Sequence, residues 1–269
     1  MMLTSLFAFL CRFPVLKRLL WRRWYQFLAR RFAIPEWQTM NYGYRALPVP
    51  ESLALETAEQ GERYGLQLYN AVCAGHSLAQ KLVLEVGCGR GGGAAFLHRF
   101  KQPAAMTGLD FSAQAIALCK ERYQRDGLTF LTGDAEKLPF PDASFDVVIN
   151  VESSHCYGSM PAFLSEVQRV LKPGGRFLCA DFRDHDKLAA WREQMIASRL
   201  KITVEREITP NVLAALDADN DRKLALMQKI LPKSLYASFS DFAAVKGSLV
   251  YEHFRTGEMK YWRFELAKG

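Results

Sequence analysis

Short apolar runs alternate with helical stretches from residue 81 onward. This alternation is typical of buried parallel strands covered by helices on both faces of a sheet. The central strands are predicted at Lys81–Val86, Ala105–Leu109, Thr129–Leu131, Phe145–Val151 and Arg176–Ala180. The helices between them are predicted near Gly92–Arg99, Ser112–Arg125 and Pro161–Leu171. The pattern therefore indicates an α/β fold.

The rhythm changes after residue 181, where longer polar and helical stretches follow. The pattern predicts a helix near Asp186–Ser198, a strand near Lys201–Ile208, a helix over about Pro210–Leu231 and a final strand at Tyr261–Leu266. Ser112 is predicted to cap the helix that follows it, and the Lys-Pro-Gly-Gly run that begins at Lys172 is predicted to end a helix. No internal repeat is found.

The first 45 residues differ in charge from the rest. They hold eight Arg or Lys and one acid, which accounts for the whole net charge of +7 and leaves a neutral body. On a helix, Leu16 and Trp24 lie on one face, and Arg18 and Arg22 lie on the opposite face. This pattern predicts a basic amphipathic helix. Residues 1–35 either lie on a membrane surface or pack on the domain.

Composition excludes several classes of protein. The chain is 49% hydrophobic, which excludes intrinsic disorder, and the first apolar run is too short to span a bilayer. The six cysteines are scattered without a Cys-x-x-Cys pair, so the sequence predicts no metal site and no disulfide framework. We therefore expect a cytoplasmic protein. The neutral charge of the body also predicts no basic groove for nucleic acid.

A glycine-rich turn follows the first predicted strand and opens a helix. Gly87, Gly89 and Gly92 match the Gly-x-Gly-x-x-Gly pattern of dinucleotide sites, and Arg90 within the turn could bind a phosphate. A pyrophosphate is bound by amide groups and cations, whereas a methyl sulfonium cofactor carries positive charge and no phosphate. The charge around the turn therefore distinguishes a dinucleotide site from a site for a methyl sulfonium cofactor.

Three carboxylates lie near the ends of successive strands. Glu85 precedes the glycine turn, Asp110 ends the second strand and Asp134 follows the third. Acidic side chains at these positions can accept hydrogen bonds from a ribose, an adenine and an ammonium group. They therefore favour S-adenosylmethionine over a dinucleotide as the cofactor.

Five segments together resemble the class I S-adenosylmethionine-dependent methyltransferases. They are Leu84–Gly91, Gly108–Ser112, Gly133–Phe140, Ser144–Val148 and Arg169–Gly175. The resemblance implies a Rossmann-like, seven-stranded, mostly parallel sheet with an antiparallel last strand. It also implies S-adenosylmethionine as the cofactor and a set of cofactor-binding residues: Tyr42, Tyr44, Glu85, Gly87, Cys88, Gly89, Gly91, Asp110, Phe111, Asp134, Ala135, Glu136 and Asn150.

Further segments resemble the bacterial subgroup around the phthiotriolone and phenolphthiotriolone dimycocerosate methyltransferases. They include Met40–Tyr44, Asn150–His155 and Ala180–Arg183. In that subgroup a long lipid-like polyketide is methylated on oxygen. The domains expected are residues 1–45 as a basic helical extension and lid, and residues 46–269 as the methyltransferase domain. Within the latter, a cofactor core is expected over 80–182 and an acceptor-pocket cap over about 183–250.

The acceptor side is predicted from two features. His155 follows the fourth strand, where it could act as a general base for a hydroxyl acceptor or merely line the pocket, and Glu152 could orient it or contact the cofactor. The cap is rich in apolar side chains, which is typical both of a greasy acceptor pocket and of an ordinary helical core. These side chains are Leu213, Leu216, Leu224, Met227, Ile230, Leu231, Phe239 and Phe242.

The function predicted from the sequence is methylation of a hydroxyl oxygen on a hydrophobic small molecule such as a lipid, polyketide or phenol. Carbon methylation of a quinone or aromatic precursor is the main alternative. A nucleic-acid methyltransferase is disfavoured by the neutral body, and a non-catalytic membrane adaptor is disfavoured by the intact glycine turn and acids. The sequence does not reveal the oligomeric state.

Overall fold

The computed structural model describes residues 26, 30–32, 34–49 and 52–269. The amphipathic helix predicted within residues 1–35 lies largely outside the described residues. No helix in the described part is both long and apolar enough to cross a membrane.

A seven-stranded sheet forms the centre of the molecule, in the order β3-β2-β1-β4-β5-β7-β6. β7 runs antiparallel to both of its neighbours, and the pairs among β1 to β5 are parallel. This confirms the predicted mostly parallel sheet with an antiparallel last strand. The strands are β1 Leu82–Val86, β2 Ala105–Asp110, β3 Leu128–Thr132, β4 Phe145–Val151, β5 Leu171–Asp184, β6 Lys201–Glu207 and β7 Met259–Ala267.

The strand order reverses beside β1, which lies between β2 and β4. Val83 is in register with Met106 on one side and with Val147 on the other. Because these strands are parallel, their carboxyl ends meet at one edge of the sheet. A crevice at such a reversal is where open α/β sheets bind their ligands.

Eight α-helices surround the sheet in the described part of the chain. Ser112 caps α3, since its hydroxyl accepts a hydrogen bond from the Ala115 amide at 3.2 Å, as predicted. The helices are α1 Arg63–Val72, α2 Gly92–Lys101, α3 Ala113–Arg122, α4 Met160–Val170, α5 Leu188–Ala197, α6 Thr209–Ile230, α7 Tyr236–Phe242 and α8 Leu249–Thr256. Short 3₁₀ segments lie at Thr57–Glu62, Ser154–Cys156, His185–Lys187 and Lys233–Leu235.

Two apolar layers hold the helices against the sheet. Alternate residues of β1 face opposite layers: Val83 joins one buried cluster and Leu84 the other. The first cluster contains side chains of α1, α2, α3, α6 and α8, and the second contains side chains of α4 and α5. A third cluster, around Met227 and Phe239, joins α6 to α7. It places the cap next to the carboxyl edge of the sheet.

The structure differs from the sequence-based prediction in four elements. The helices α1, α7 and α8 were not predicted, and β5 extends through the Lys-Pro-Gly-Gly run and beyond residue 180. Seven of the ten residues of α1 are buried, and its apolar side chains lie on one side of the helix, so the helical pattern was present in the sequence. The extension of β5 carries Asp181 to the edge where the candidate site lies.

Candidate active site

Two neighbouring cavities open at the carboxyl edge of the sheet. The strand-end cleft has a volume of about 1100 Å³ including its open mouth, and it is lined mainly by residues 87–90, 109–112, 133–136 and 151–153. The cap cavity has about 2200 Å³, again including its mouth, and it lies between residues 37–42 and the cap. Both cavities are lined by Thr39, Met40, Asn41 and Glu152, so a ligand in one lies beside a ligand in the other.

The glycine turn forms the floor of the strand-end cleft. The amides of Gly87 and Cys88 both donate to the Leu109 carbonyl, at 2.7 and 3.0 Å, which folds the turn over the end of β2. Gly87 has φ +78°, and a Cβ there would lie 2.2 Å from Ser153 Oγ. At Gly89, with φ +52°, a Cβ would meet nothing closer than Met40 Sδ at 3.7 Å. The backbone at Gly89 therefore faces open space that a ligand can fill.

The strand-end cleft is predominantly acidic. Its charged lining residues are Asp110, Asp134, Glu136 and Glu152, with Arg90 as the one cation among the described residues that line it. Asp110 is braced by the amides of Gly89 and Ser112, at 2.9 and 2.8 Å, and burial raises its pKa. This charge distribution fits a cationic cofactor better than a pyrophosphate.

Arg90 was the residue that could have served a phosphate, and its guanidinium points elsewhere. The residue is 1% exposed, and its Nη1 donates to the Phe32 carbonyl at 2.8 Å. The guanidinium also lies over the Trp37 ring, 4.0 Å from its centroid. Arg90 therefore anchors the segment that covers the cleft, so this cation does not favour a dinucleotide.

Glu85 lies beneath the cleft and does not line it. Its Oε1 accepts a hydrogen bond from the Tyr69 hydroxyl at 2.6 Å, and its buried Oε2 has no hydrogen-bond partner in the described part of the chain. Burial raises the pKa of Glu85 to about 7. Tyr69, which sequence analysis did not select, stands in the cleft wall.

Asn150 is fully buried and does not line either cavity. Its Nδ2 lies 2.8 Å from the Val86 carbonyl, 2.7 Å from Ser153 Oγ and 3.0 Å from the Tyr157 hydroxyl. The side chain therefore supports the glycine turn from below, in contrast to the direct cofactor contact that the resemblance implied.

The other predicted cofactor residues divide between the two cavities. The cleft is lined by Gly87, Cys88, Gly89, Asp110, Phe111, Asp134, Ala135 and Glu136. Gly91 caps α2 and does not line the cleft. Tyr42 lines the cap cavity, where its ring packs 5.5 Å from that of Phe182, and Tyr44 lines neither cavity. The part of the lid that reaches the cleft is residues 38–41.

The walls of the cap cavity are largely apolar. Of the predicted cap residues, Met227, Ile230, Phe239 and Phe242 line it. Leu213 and Leu216 instead pack in the first core cluster, and Leu224 and Leu231 in the third. Residues before the core contribute Trp37, Met40, Tyr42 and Tyr64 to the wall.

His155 enters the cap cavity as half of a pair with Asp181. His155 Nδ1 lies 2.9 Å from Asp181 Oδ1, and the His155 amide donates to Asp181 Oδ2 at 3.0 Å. Burial alone would raise the pKa of Asp181, but His155 and Arg183 outweigh it and hold that pKa well below its usual range. An ionised Asp181 makes Nδ1 the protonated nitrogen.

Asp181 is a residue of the candidate site that sequence analysis did not select. It is fully buried, and its carboxylate also accepts hydrogen bonds from Ser154 Oγ at 2.6 Å and the Phe182 amide at 2.9 Å. Burial lowers the pKa of His155, but neighbouring Cys156 and Asp181 outweigh it and raise that pKa to about 10. The Ala-Asp-Phe-Arg run after the fifth predicted strand was the signal that could have identified Asp181.

Glu152 lies in the wall that the two cavities share. Its Oε2 accepts hydrogen bonds from the Tyr42 amide at 2.8 Å and the Tyr261 hydroxyl at 2.9 Å. Burial raises its pKa to about 8, and its φ of +48° is unusual for a residue with a side chain. Asp181, and not Glu152, orients His155.

Comparison with known proteins agrees with this geometry. Residues 84–179 match the family model described as a methyltransferase domain. The chain is 39% identical to a phthiotriol/phenolphthiotriol dimycocerosates methyltransferase of Mycobacterium leprae, over 92% of each chain. It is 36% identical to a fatty-acid O-methyltransferase of Mycolicibacterium smegmatis, over 91% of this chain and 88% of that one.

The fold is also that of a solved structure. The geranyl diphosphate C-methyltransferase of Streptomyces coelicolor, crystallised with S-adenosylhomocysteine, superposes with a TM-score of 0.64 at 18% identity. The match covers 91% of this chain and 98% of that one.

Proposed function

We propose that this chain, which belongs to the S-adenosylmethionine-dependent methyltransferase family of its curated relatives, transfers a methyl group to a hydroxyl oxygen of a hydrophobic small molecule. The observation that carries the proposal is the contact between the two cavities. An acidic cleft suited to a cationic cofactor shares a wall with an apolar cavity that holds the His155–Asp181 pair. Donor and acceptor can therefore meet at that wall.

The cofactor of this enzyme is S-adenosylmethionine, and the strand-end cleft fits it. When bound, it supplies a methyl group on a sulfonium whose leaving group is a neutral thioether. We assign Asp110 to the ribose hydroxyls, and Asp134 with Ala135 to the adenine. The open backbone at Gly89 allows close approach, and Gly87 keeps the turn in place.

Glu85 supports the amino end of the cofactor from beneath the cleft, through Tyr69 and the turn. Its buried Oε2 has no hydrogen-bond partner in the described part of the chain, so a positive charge nearby stabilises it. The methionine part of the cofactor then lies toward the wall shared with the cap cavity.

In the cap cavity, His155 takes the proton from the acceptor hydroxyl at Nε2. A hydroxyl is a poor nucleophile until it loses this proton. Asp181 holds the imidazole ring in place and stabilises the imidazolium that forms, and buried Ser154 fixes Asp181 in turn. Glu152 keeps Tyr42 over the junction of the cavities, which aligns the acceptor and excludes water.

The apolar cap walls support a lipid-like acceptor. Methionine and aromatic side chains of α6 and α7 offer contacts to long hydrocarbon chains without fixing a single shape. The relatives named for phthiotriol dimycocerosates and for fatty acids are consistent with such an acceptor. Carbon methylation of an aromatic precursor remains the alternative, because that reaction also needs a base in the cap cavity and His155 could serve either reaction.

The experiment is a methylation assay with isotopically labelled methyl cofactor and a panel of long-chain alcohols, hydroxylated lipids and apolar phenols. Mass spectrometry of the product distinguishes a methyl ether from a methyl on carbon. We expect methyl ethers of the apolar acceptors. Exclusive carbon methylation would favour the alternative, and turnover of short polar acceptors alone would contradict the apolar site.

We also propose that residues 1–35 bring the enzyme to an anionic membrane surface where such acceptors lie. The support is the sequence pattern of basic and apolar faces. Flotation with phosphatidylglycerol liposomes, comparing the full chain with one in which Arg18, Arg22 and Arg23 are replaced by Gln, tests it. Equal flotation of the two proteins would remove this proposal.

A further inference from the structure

One cation in the wall of the cap cavity has no role in the chemistry described above. Lys223 lies on α6 and lines the cavity, and its Nζ donates to the Ala243 carbonyl at 3.0 Å. Within the described part of the chain this is its one hydrogen bond, and it makes no ion pair there. An ammonium has three donors, so two remain for a ligand.

The other cations that line this cavity already have carboxylate partners. Arg222 donates to both oxygens of Asp219, at 2.6 and 2.7 Å, and also pairs with Glu62 at 3.4 Å. His155 is paired with Asp181. Asp219 and Glu62 are therefore committed to Arg222, and Lys223 is left as a cation unmatched by an acid in contact.

The placement of Lys223 is costly unless it binds something. Lys223 is partly withdrawn from water, so its ammonium loses part of its hydration, and burial lowers its pKa. Asp219, Glu152 and Glu62 act in the opposite direction, but burial outweighs them, and none of them forms an ion pair with Lys223 in the described part of the chain. A ligand oxygen with negative charge would supply the missing partner through charge-assisted hydrogen bonds.

We infer that Lys223 is an acceptor-binding residue that recognises an anionic oxygen group, such as a carboxylate, on an otherwise apolar acceptor. In this proposal the group that Lys223 holds is distinct from the methyl-accepting oxygen beside His155, which lies on a different element of the cavity wall. The acceptor class is then a hydroxylated long-chain acid rather than an uncharged lipid. This inference rests on the proposed function only in taking the cap cavity as the acceptor site.

The test measures binding and does not need turnover. Calorimetry of the full chain loaded with S-adenosylhomocysteine would compare palmitate with palmityl alcohol, which share a chain and differ in the charged group. We expect palmitate to bind roughly tenfold more tightly at neutral pH. The variant Lys223→Met should bind the two equally, and Lys223→Arg should keep the preference.

Lys229 provides the matched control on the same helix. Its side chain is 65% exposed and pairs with Glu36 outside the cavity, so Lys229→Met should leave the preference for palmitate unchanged. Equal binding of the two probes by the wild type, no binding of palmitate, or a preference that survives in Lys223→Met would each overturn the inference.

The same assay separates this inference from the proposed function. A preference that depends on Lys223 in a protein that methylates no hydroxyl would leave the subsite standing and remove the proposed reaction. Methylation of uncharged alcohols together with equal binding of both probes would support the proposed reaction and remove the Lys223 subsite.

Discussion

The strand-end cleft and the cap cavity share a wall, yet they are built in different ways. The cleft is lined mainly by four short segments that each follow the end of a strand. The cap cavity is assembled from α6, α7 and the start of α8, which follow one another in the chain, together with the lid and the end of β5, which come from much earlier in the sequence. Short motifs at the strand ends therefore define most of the cleft, and the packing of the cap against the lid and β5 defines the cap cavity.

The two regions also differ in their polarity. Asp110 and the other acids make the cleft acidic, and backbone amides fix the Asp110 carboxylate in place. In the cap cavity most wall residues are apolar, and its polar groups are concentrated in a few pairs such as His155–Asp181 and Arg222–Asp219. A change in one region should therefore affect one ligand and spare the other.

The largest expected effect is the loss of the base from the cap cavity. His155→Ala should lower kcat for a hydroxyl acceptor by about 10²–10⁴-fold. Its affinity for S-adenosylhomocysteine, measured by calorimetry, should stay within about twofold of the wild-type value. His253→Ala is the control, because His253 lies at the surface and pairs with Glu258. Wild-type turnover in His155→Ala would show that the proton is taken by another group.

The next effect concerns pH and the residue that orients the base. His155 has a raised pKa of about 10, so its neutral, proton-accepting form is scarce at pH 7 and grows as pH rises. Turnover of an alcohol should increase about tenfold per pH unit toward pH 10. Asp181→Asn removes one cause of the raised pKa, so the profile should level off at lower pH, with a maximum rate reduced by about 10²-fold.

A purely structural role for Asp181 would lower the rate equally at every pH. A parallel downward shift of the whole profile in Asp181→Asn would therefore contradict the assigned role. Thermal unfolding of the variant should be followed in the same experiments, because burial of an unpaired His155 also costs stability.

A smaller effect is expected in the cleft. Asp110→Asn should weaken cofactor binding by about tenfold, since it replaces charged hydrogen bonds with neutral ones. Binding of an apolar acceptor to the cap cavity should not change. Asp142→Asn serves as the control, because the Asp142 side chain is 79% exposed and pairs with Arg169. Equal losses for both ligands would mean that the two regions are not independent.

The smallest effect is expected from trimming the cap wall. The Phe242 ring contacts Trp37 and Phe239, with centroids 6.4 and 6.2 Å apart. Phe242→Leu removes these ring contacts and should raise the acceptor KM by about two- to tenfold, with kcat and cofactor affinity nearly unchanged. Steady-state kinetics over a range of acceptor concentrations measures this. A larger change in cofactor affinity than in acceptor KM would contradict the separation of the two cavities.

Particular residues show how far sequence reasoning reached. Gly87, Gly89, Asp110 and Asp134 lie together in the cleft as predicted, because a parallel sheet brings the carboxyl ends of its strands to one edge, whereas Glu85 lies beneath the cleft. Tyr42, which the resemblance assigned to the cofactor, lines the cap cavity and not the cleft. Asn150 was assigned to the same ligand, yet its amide turns inward to the Val86 carbonyl. Alternation along a strand does not reveal which buried neighbour a polar side chain will meet.

The sequence by itself determined the alternation of strands and helices from β1 to β5, the glycine turn and the acidic strand ends. Each of these is encoded in a run of neighbouring residues, through periodicity, turn chemistry and charge. The tertiary structure alone decided that Asp181 orients His155, that Arg90 points away from the cleft and that Lys223 faces the cap cavity. These pairings join distant segments, and they are fixed by where helices pack and which buried charges must be paired.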